Sequence, residues 1–82
     1  MKATIEGAEI RGCERKTNKK GEPYLLVHFE DATGQANELV DKDMSREPYY
    51  VRGTQGTIYI DIVQTKWTTI RIIDFKQKGA TV

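Results

Sequence analysis

The 82-residue sequence contains one cysteine, one histidine, two prolines and no long apolar run. The lone Cys13 cannot form a disulfide within the chain, and with the lone His28 it cannot supply the ligands of a Cys/His zinc site. No apolar segment approaches the roughly 18–20 residues that a membrane span requires. We therefore expect a cytoplasmic protein that uses no cofactor, no metal and no membrane anchor.

Signatures of catalysis are missing as well. No Gly-rich phosphate loop ends in Gly-Lys-Ser or Gly-Lys-Thr, and the acids lie on predicted strands and loops with no pairing for acid–base catalysis that the sequence specifies. Glu38, Asp41 and Asp43 form the densest group of acids, which we interpret as a solvated acidic loop rather than a metal site. The first residues lead straight into an alternating pattern, so we expect no signal peptide. The sequence favours a binding protein over an enzyme.

The net charge of +1 conceals a segregation of charge along the chain. Residues 11–20 contain five basic residues and one acid, whereas residues 30–47 contain six acids and two basic residues. From Arg52 onward, five basic residues are opposed by two acids. Such a chain can present a basic face and an acidic face while its total charge stays near zero. A mixed solvated surface is the alternative interpretation.

Alternating apolar residues predict β-strands in the first half of the chain. Residues 2–13 predict a long first strand bent at Gly7, where the apolar positions change parity and a β-bulge would restore a single face. Residues 17–23 have turn chemistry and predict a loop. Residues 24–31 predict the clearest strand, with Leu25, Val27 and Phe29 on one face and Tyr24, Leu26 and His28 on the other.

The second half of the chain continues the pattern. Residues 35–41 predict a weaker third strand, and residues 41–56 are irregular, with room for a short helical turn near residues 42–46. Residues 57–64 predict a strand with three inward isoleucines, Ile58, Ile60 and Ile62. Residues 67–76 predict a last strand in which Ile70 and Ile72 point inward. Ile73 and Phe75 break that parity, which indicates a second bulge or a strand buried on both faces.

Five short strands in about 75 residues predict an all-β domain, closed or nearly closed into a barrel. The strand number and the long bent first strand favour a five-stranded oligonucleotide/oligosaccharide-binding (OB-fold) barrel over an SH3-like barrel. We expect residues 1–76 to form this single domain and residues 77–82 to form a flexible C-terminal tail.

Basic and aromatic residues converge near the start of the second strand. A basic loop at residues 15–20 runs directly into the face that carries Tyr24 and Leu26, and single-stranded nucleic acid is held by such combinations of cations and stacking platforms. Lys66 and Trp67, at the tip of the last hairpin, are a second candidate site for nucleic acid. The alternatives are that Tyr24 and Leu26 cover a second small core or a subunit contact, and that Trp67 anchors an interface or packs onto its own domain.

Two segments resemble the filamentous-phage gene V class of single-stranded DNA-binding proteins. Residues 19–26, Lys-Lys-Gly-Glu-Pro-Tyr-Leu-Leu, resemble the basic loop and Gly-x-Pro-Tyr-x-Leu signature of that family, and residues 56–76 resemble its final hairpin with an aromatic tip. The resemblance implies an OB-fold homodimer that coats single-stranded DNA without sequence preference for a phage or other mobile element in a bacterial host cell. It also implies base contacts from Tyr24 and Leu26, a tip aromatic at Trp67, and phosphate contacts from five cations, Arg15, Lys16, Lys19, Lys20 and Lys76.

Two other functions remain open at this point. The same domain could be a protein-interaction module that uses Tyr24 and Trp67 as anchors, or an OB-fold protein that binds RNA instead of DNA.

Overall fold

The computed structural model describes residues 1–79, which form five β-strands and one 3₁₀ helix. None of these residues belongs to a helix with the length and apolar character needed to cross a membrane. The all-β class predicted from the sequence is confirmed. The elements in chain order are β1 (Lys2–Thr17), β2 (Pro23–Glu30), β3 (Ala36–Asp41), the 3₁₀ helix (Met44–Tyr49), β4 (Gln55–Gln64) and β5 (Thr68–Gln77).

The five strands form one closed ring of hydrogen bonds in the order β1-β2-β3-β5-β4. The long β1 makes this possible because its first half pairs with β4 and its second half with β2. All neighbours are antiparallel except β3 and β5, which are parallel and pair only at Val40–Arg71 and Asp41–Ile72. The ring therefore closes through its shortest ladder.

Bulges bend the strands where the apolar parity changes in the sequence. The predicted bulge at Gly7 is confirmed, because the β1–β4 register shifts between Ile5 and Ala8 and Gly7 has a φ of 69°. The predicted irregularity in β5 is a bulge at Ile73, since Asp74 pairs with Tyr59 while Ile72 pairs with Ile60. A further register shift in the β1–β2 ladder, between Ile10 and Gly12, was not predicted.

The core lies inside the ring and contains the three β2 residues predicted to face it, Leu25, Val27 and Phe29, all of them at most 1% exposed. Ile58, Ile60 and Ile72 are also buried, whereas Ile62 is only partly so. Ile70 lies on the inward face as predicted, across from Ile62, but its side chain is 39% exposed and so does not join the buried core. β5 begins to pair with β3 only at Arg71, so Ile70 lies beyond the closed part of the ring.

Element boundaries differ from the expected ones at three places. β1 continues to Thr17, so Arg15 and Lys16 belong to a strand rather than to the basic loop, which is reduced to residues 18–22. The helical turn forms at Met44–Tyr49, slightly later than expected. Gln77 still belongs to β5, and the Lys78 amide donates to the Gln55 carbonyl at 2.7 Å. The remainder of the predicted tail, residues 80–82, lies outside the described residues.

Asp41 is fully buried, which corrects its interpretation as a solvated acid. Its carboxylate accepts hydrogen bonds from Arg46 (Nε at 2.7 Å, Nη2 at 3.1 Å), from the Tyr50 hydroxyl and from the Asp43 amide at 2.9 Å. A buried charge is tolerable only with partners of this kind. Asp41 therefore attaches the 3₁₀ helix to the end of β3, at the point where the ring closes.

Substitution of Gly56 should destabilise the ring. A Cβ atom at this position would overlap the Lys76 carbonyl oxygen and lie 2.9 Å from Cε1 of Phe75, so β4 or β5 would have to move. We expect Gly56→Ala to lower the free energy of unfolding by about 1–3 kcal/mol. Gly12→Ala is the matched control, since a Cβ there meets no atom within 4 Å. Urea denaturation measures both, and equal stability of the two variants would contradict the predicted overlap.

Stability should fall in alkaline solution through Tyr50. Burial, and then the Asp41 carboxylate, raise the pKa of the Tyr50 hydroxyl far above its ordinary value near 10. Below about pH 10 the hydroxyl is protonated in both the folded and the unfolded protein. Above that pH only the unfolded protein loses the proton, so the free energy of unfolding falls as pH rises.

The effect is measured by comparing the free energy of unfolding of the wild type and of Tyr50→Phe as a function of pH. The wild type should lose up to about 1.4 kcal/mol per pH unit above pH 10 relative to Tyr50→Phe, which has no hydroxyl to ionise. Parallel pH profiles of the two proteins would contradict the assignment.

Candidate nucleic-acid interface

The outward side of β1, β2 and β3 carries the residues singled out by the sequence pattern. Tyr24, Leu26 and His28 are half-buried and lie opposite the core residues of β2. Directly opposed residues of neighbouring strands share a face of the sheet. The cross-strand pairs Lys16–Tyr24, Glu14–Leu26, Val40–Leu26 and Glu38–His28 therefore define one surface, called the outer face below.

One end of the outer face is basic. Lys16 lies directly across from Tyr24, and Lys19 and Lys20 are exposed on the adjoining loop of residues 18–22. Asn18 fixes this loop, because its Oδ1 accepts hydrogen bonds from the amides of Lys20 and Glu22, both at 2.9 Å. An aromatic ring, an aliphatic neighbour and three lysines thus occupy one end of the face.

The other end of the outer face is acidic. His28 lies between two carboxylates, with Nε2 at 2.7 Å from Glu14 and Nδ1 at 3.3 Å from Glu38. The His28 hydrogen bond, followed by the charge of Lys16, lowers the pKa of the Glu14 carboxyl. Glu14 is therefore anionic, and its Oε2 lies 3.8 Å from the Lys16 ammonium, so the acidic end directly borders the basic one.

Arg15 does not belong to the outer face. It lies across from the core residue Leu25, and its Nε donates to Oε2 of Glu47 on the 3₁₀ helix at 2.7 Å. This pairing raises the pKa of Arg15 and lowers that of Glu47, so both groups stay charged. A phosphate contact by Arg15 would have to replace the Glu47 contact.

The β4–β5 hairpin carries the second predicted group. Trp67 is 74% exposed at its tip, with Lys66 exposed beside it. β3 and β5 are parallel, so the hairpin tip lies at the end of the ring where β3 starts, and the loop of residues 18–22 lies at the opposite end. Trp67 does not pack onto its own domain, which removes one of the alternatives considered for it.

Lys76 is separate from both groups. Its ammonium lies 5.7 Å from the centre of the Tyr59 ring on the β4–β5 side of the protein, a cation–π arrangement. The structure thus brings Lys16, Lys19, Lys20, Tyr24 and Leu26 together, and it leaves Arg15, Lys66, Trp67 and Lys76 elsewhere.

A cleft beside Tyr24 was missed by the sequence reasoning. It has a volume of ≈ 430 Å³ and continues the basic end of the outer face towards the 3₁₀ helix, where Val40, Lys42 and Met44 line it. The register of β3 against β2 places Val40 beside Leu26, and no pattern in the sequence specifies that register. Among residues 1–79, no His, Cys, Asp and Glu side chains gather into a cluster of three suited to a metal ion.

Comparisons of the chain with protein-family models, with curated proteins and with solved structures gave no match.

Removal of an acid from the outer face should strengthen binding of a polyanion. Glu14→Gln keeps a hydrogen-bonding group beside His28 but deletes a charge directly across from Leu26. We expect a roughly two- to fivefold higher affinity for oligo(dT) at low salt.

Glu6→Gln is the control for total charge, because Glu6 is exposed on the first half of β1, which pairs with β4. Fluorescence anisotropy measures both variants. An equal gain in affinity for the two would show that only net charge matters and would contradict a localised site.

Proposed function

We propose that the protein binds single-stranded DNA without strict sequence preference, through the outer face and the loop of residues 18–22. The observation that carries this proposal is the position of Lys16 directly across from Tyr24, next to Leu26 and to the exposed Lys19 and Lys20. Cations hold phosphates by releasing counterions, and an aromatic ring stacks on any base. Neither contact depends on base identity.

The strand order supports an OB-fold as the architecture. In OB-folds the face of strands 2 and 3 and the loops between strands 1 and 2 and between strands 4 and 5 bind oligonucleotides. The candidate residues lie on those same elements: Tyr24 and Leu26 on β2, two lysines between β1 and β2, and Lys66 with Trp67 between β4 and β5. This agreement favours the OB-fold over the SH3-like alternative.

The resemblance to the gene V class adds the remaining parts of the proposal. Within one subunit, Trp67 lies at the opposite end of the ring from the loop of residues 18–22. In a homodimer, the exposed Trp67 of one subunit would instead reach DNA bound to the other subunit. Coating of single-stranded DNA during replication or transfer of a mobile element, in the bacterial cytoplasm, is the biological role that this family membership would imply.

A protein-interaction module is the second candidate, and one observation favours it. Trp67 is 74% exposed at the tip of the β4–β5 hairpin, and a large exposed aromatic side chain is a typical anchor of a protein interface. Under this alternative the lysines next to Tyr24 would have no role in binding.

The basic end distinguishes the two functions. The triple variant Lys16→Ala, Lys19→Ala, Lys20→Ala should lose about 10- to 100-fold in affinity for oligo(dT) at about 50 mM salt, and its log–log salt slope should fall by up to about 2. Tyr24→Ala should lose about 1–3 kcal/mol of binding free energy with its salt slope unchanged.

Arg52→Ala, Lys78→Ala is the control, because these two cations lie together at a separate cleft and should contribute little. Anisotropy titrations at about 50 and 200 mM salt measure the wild type and the three variants. Absence of binding by the wild type at the lower salt, or equal binding by the triple variant, would refute the proposal. Oligo(U) in place of oligo(dT) tests for RNA binding.

A further inference from the structure

The cleft beside Tyr24 has the composition of a pocket for a flat, partly polar ring. Its walls are the Tyr24 ring, Val40 and Met44, all half-buried, and its rim carries three polar side chains, Asn18, Glu22 and Lys42. Ligand pockets typically combine apolar walls with a few fixed polar groups that orient the ligand. The volume of ≈ 430 Å³ leaves room for one nucleobase with its sugar.

Both sides of the cleft are held in place. On one side, the Asn18 amide donates to the Glu22 carbonyl at 2.9 Å, and the Asn18 side chain donates to Oε1 of Glu22 at 3.1 Å. On the other side, Asp43 caps the 3₁₀ helix by accepting from the Ser45 amide at 3.0 Å, which fixes Met44 between them. A preformed cleft does not pay the cost of ordering its walls when a ligand binds.

The lining of the cleft includes one carboxylate, Glu22, and one ammonium, Lys42. Glu22 is an acceptor, and carboxylates recognise the exocyclic amino group of cytosine. Thymine has no amino group, and its single ring N–H lies between two carbonyl oxygens that repel a carboxylate. Lys42 is an exposed residue of the same lining, and its ammonium can neutralise the phosphate attached to a bound nucleotide.

We propose that this cleft binds one base of the DNA strand and prefers a base with an exocyclic amino group, cytosine before thymine, with Tyr24 stacking on the ring and Glu22 accepting from the amino group. This inference rests on the proposed binding of single-stranded DNA and adds to it a base preference at one position.

The test compares oligo(dC) with oligo(dT) of equal length by fluorescence anisotropy, because the two pyrimidines have the same size. The wild type should bind oligo(dC) roughly three- to tenfold more tightly. Glu22→Gln should bring this ratio close to one. The new side-chain amide can donate to a carbonyl oxygen of thymine as well as accept from the amino group of cytosine, and its oxygen can still accept from Asn18.

Glu38→Gln is the matched control, with the same loss of charge at the acidic end of the outer face. It should raise affinity for both oligonucleotides and keep the preference for oligo(dC). A wild-type ratio near one, with both oligonucleotides bound, would overturn the base preference and leave the proposed function intact. Failure to bind either oligonucleotide would overturn both.

The two methionines provide a readout that is independent of affinity. Titration with deoxycytidine monophosphate, followed by NMR of the methyl groups, should shift the Met44 signal, while the exposed Met1 should respond less. An unchanged Met44 signal at saturation, or an equal response to thymidine monophosphate, would also overturn the proposed site.

Discussion

The buried carboxylate of Asp41 is the interaction on which the rest of the structure depends. The residue ends β3, pairs across to both β2 and β5, and takes part in the two-residue ladder that closes the ring. Its bonds to Arg46 and Tyr50 hold the 3₁₀ helix across one end of the core, where the Tyr50 ring packs 5.4 Å from that of Phe75. Loss of one partner from such a buried pair typically costs about 3–5 kcal/mol.

The same anchor shapes the candidate site. The 3₁₀ helix carries Met44, which lines the cleft, and Glu47, which pairs with Arg15. The outer face itself has lysines and an aromatic ring next to the loop of residues 18–22 and carboxylates around His28. A strand of DNA lying over Tyr24 would turn away from Glu14 and Glu38, so the division of charge selects its path as well as its position.

The sequence predicted the parts of the fold that depend on alternation. The alternation of side chains along a strand predicts which residues of β2 face the core and where β1 is bulged at Gly7. Turn chemistry predicts the exposed tip of the last hairpin. The same alternation predicted the inward direction of Ile70 but not its exposure, because burial at the end of a strand also depends on where the neighbouring strand begins to pair. Asp41 and the cleft beside Tyr24 escaped prediction for a related reason: both depend on the register of β3 and on a short helix, which are set by tertiary contacts and not by local pattern.

The most direct measurement of the central claim is a map of amide chemical-shift changes in a ¹⁵N-labelled sample titrated with oligo(dT). The account predicts that the largest changes fall on residues 16–26 and 40–44, with a second group at residues 65–67, and that the β4–β5 side around Tyr59 and Lys76 changes little. Changes centred on Tyr59 and Lys76, or no changes on β2, would contradict it.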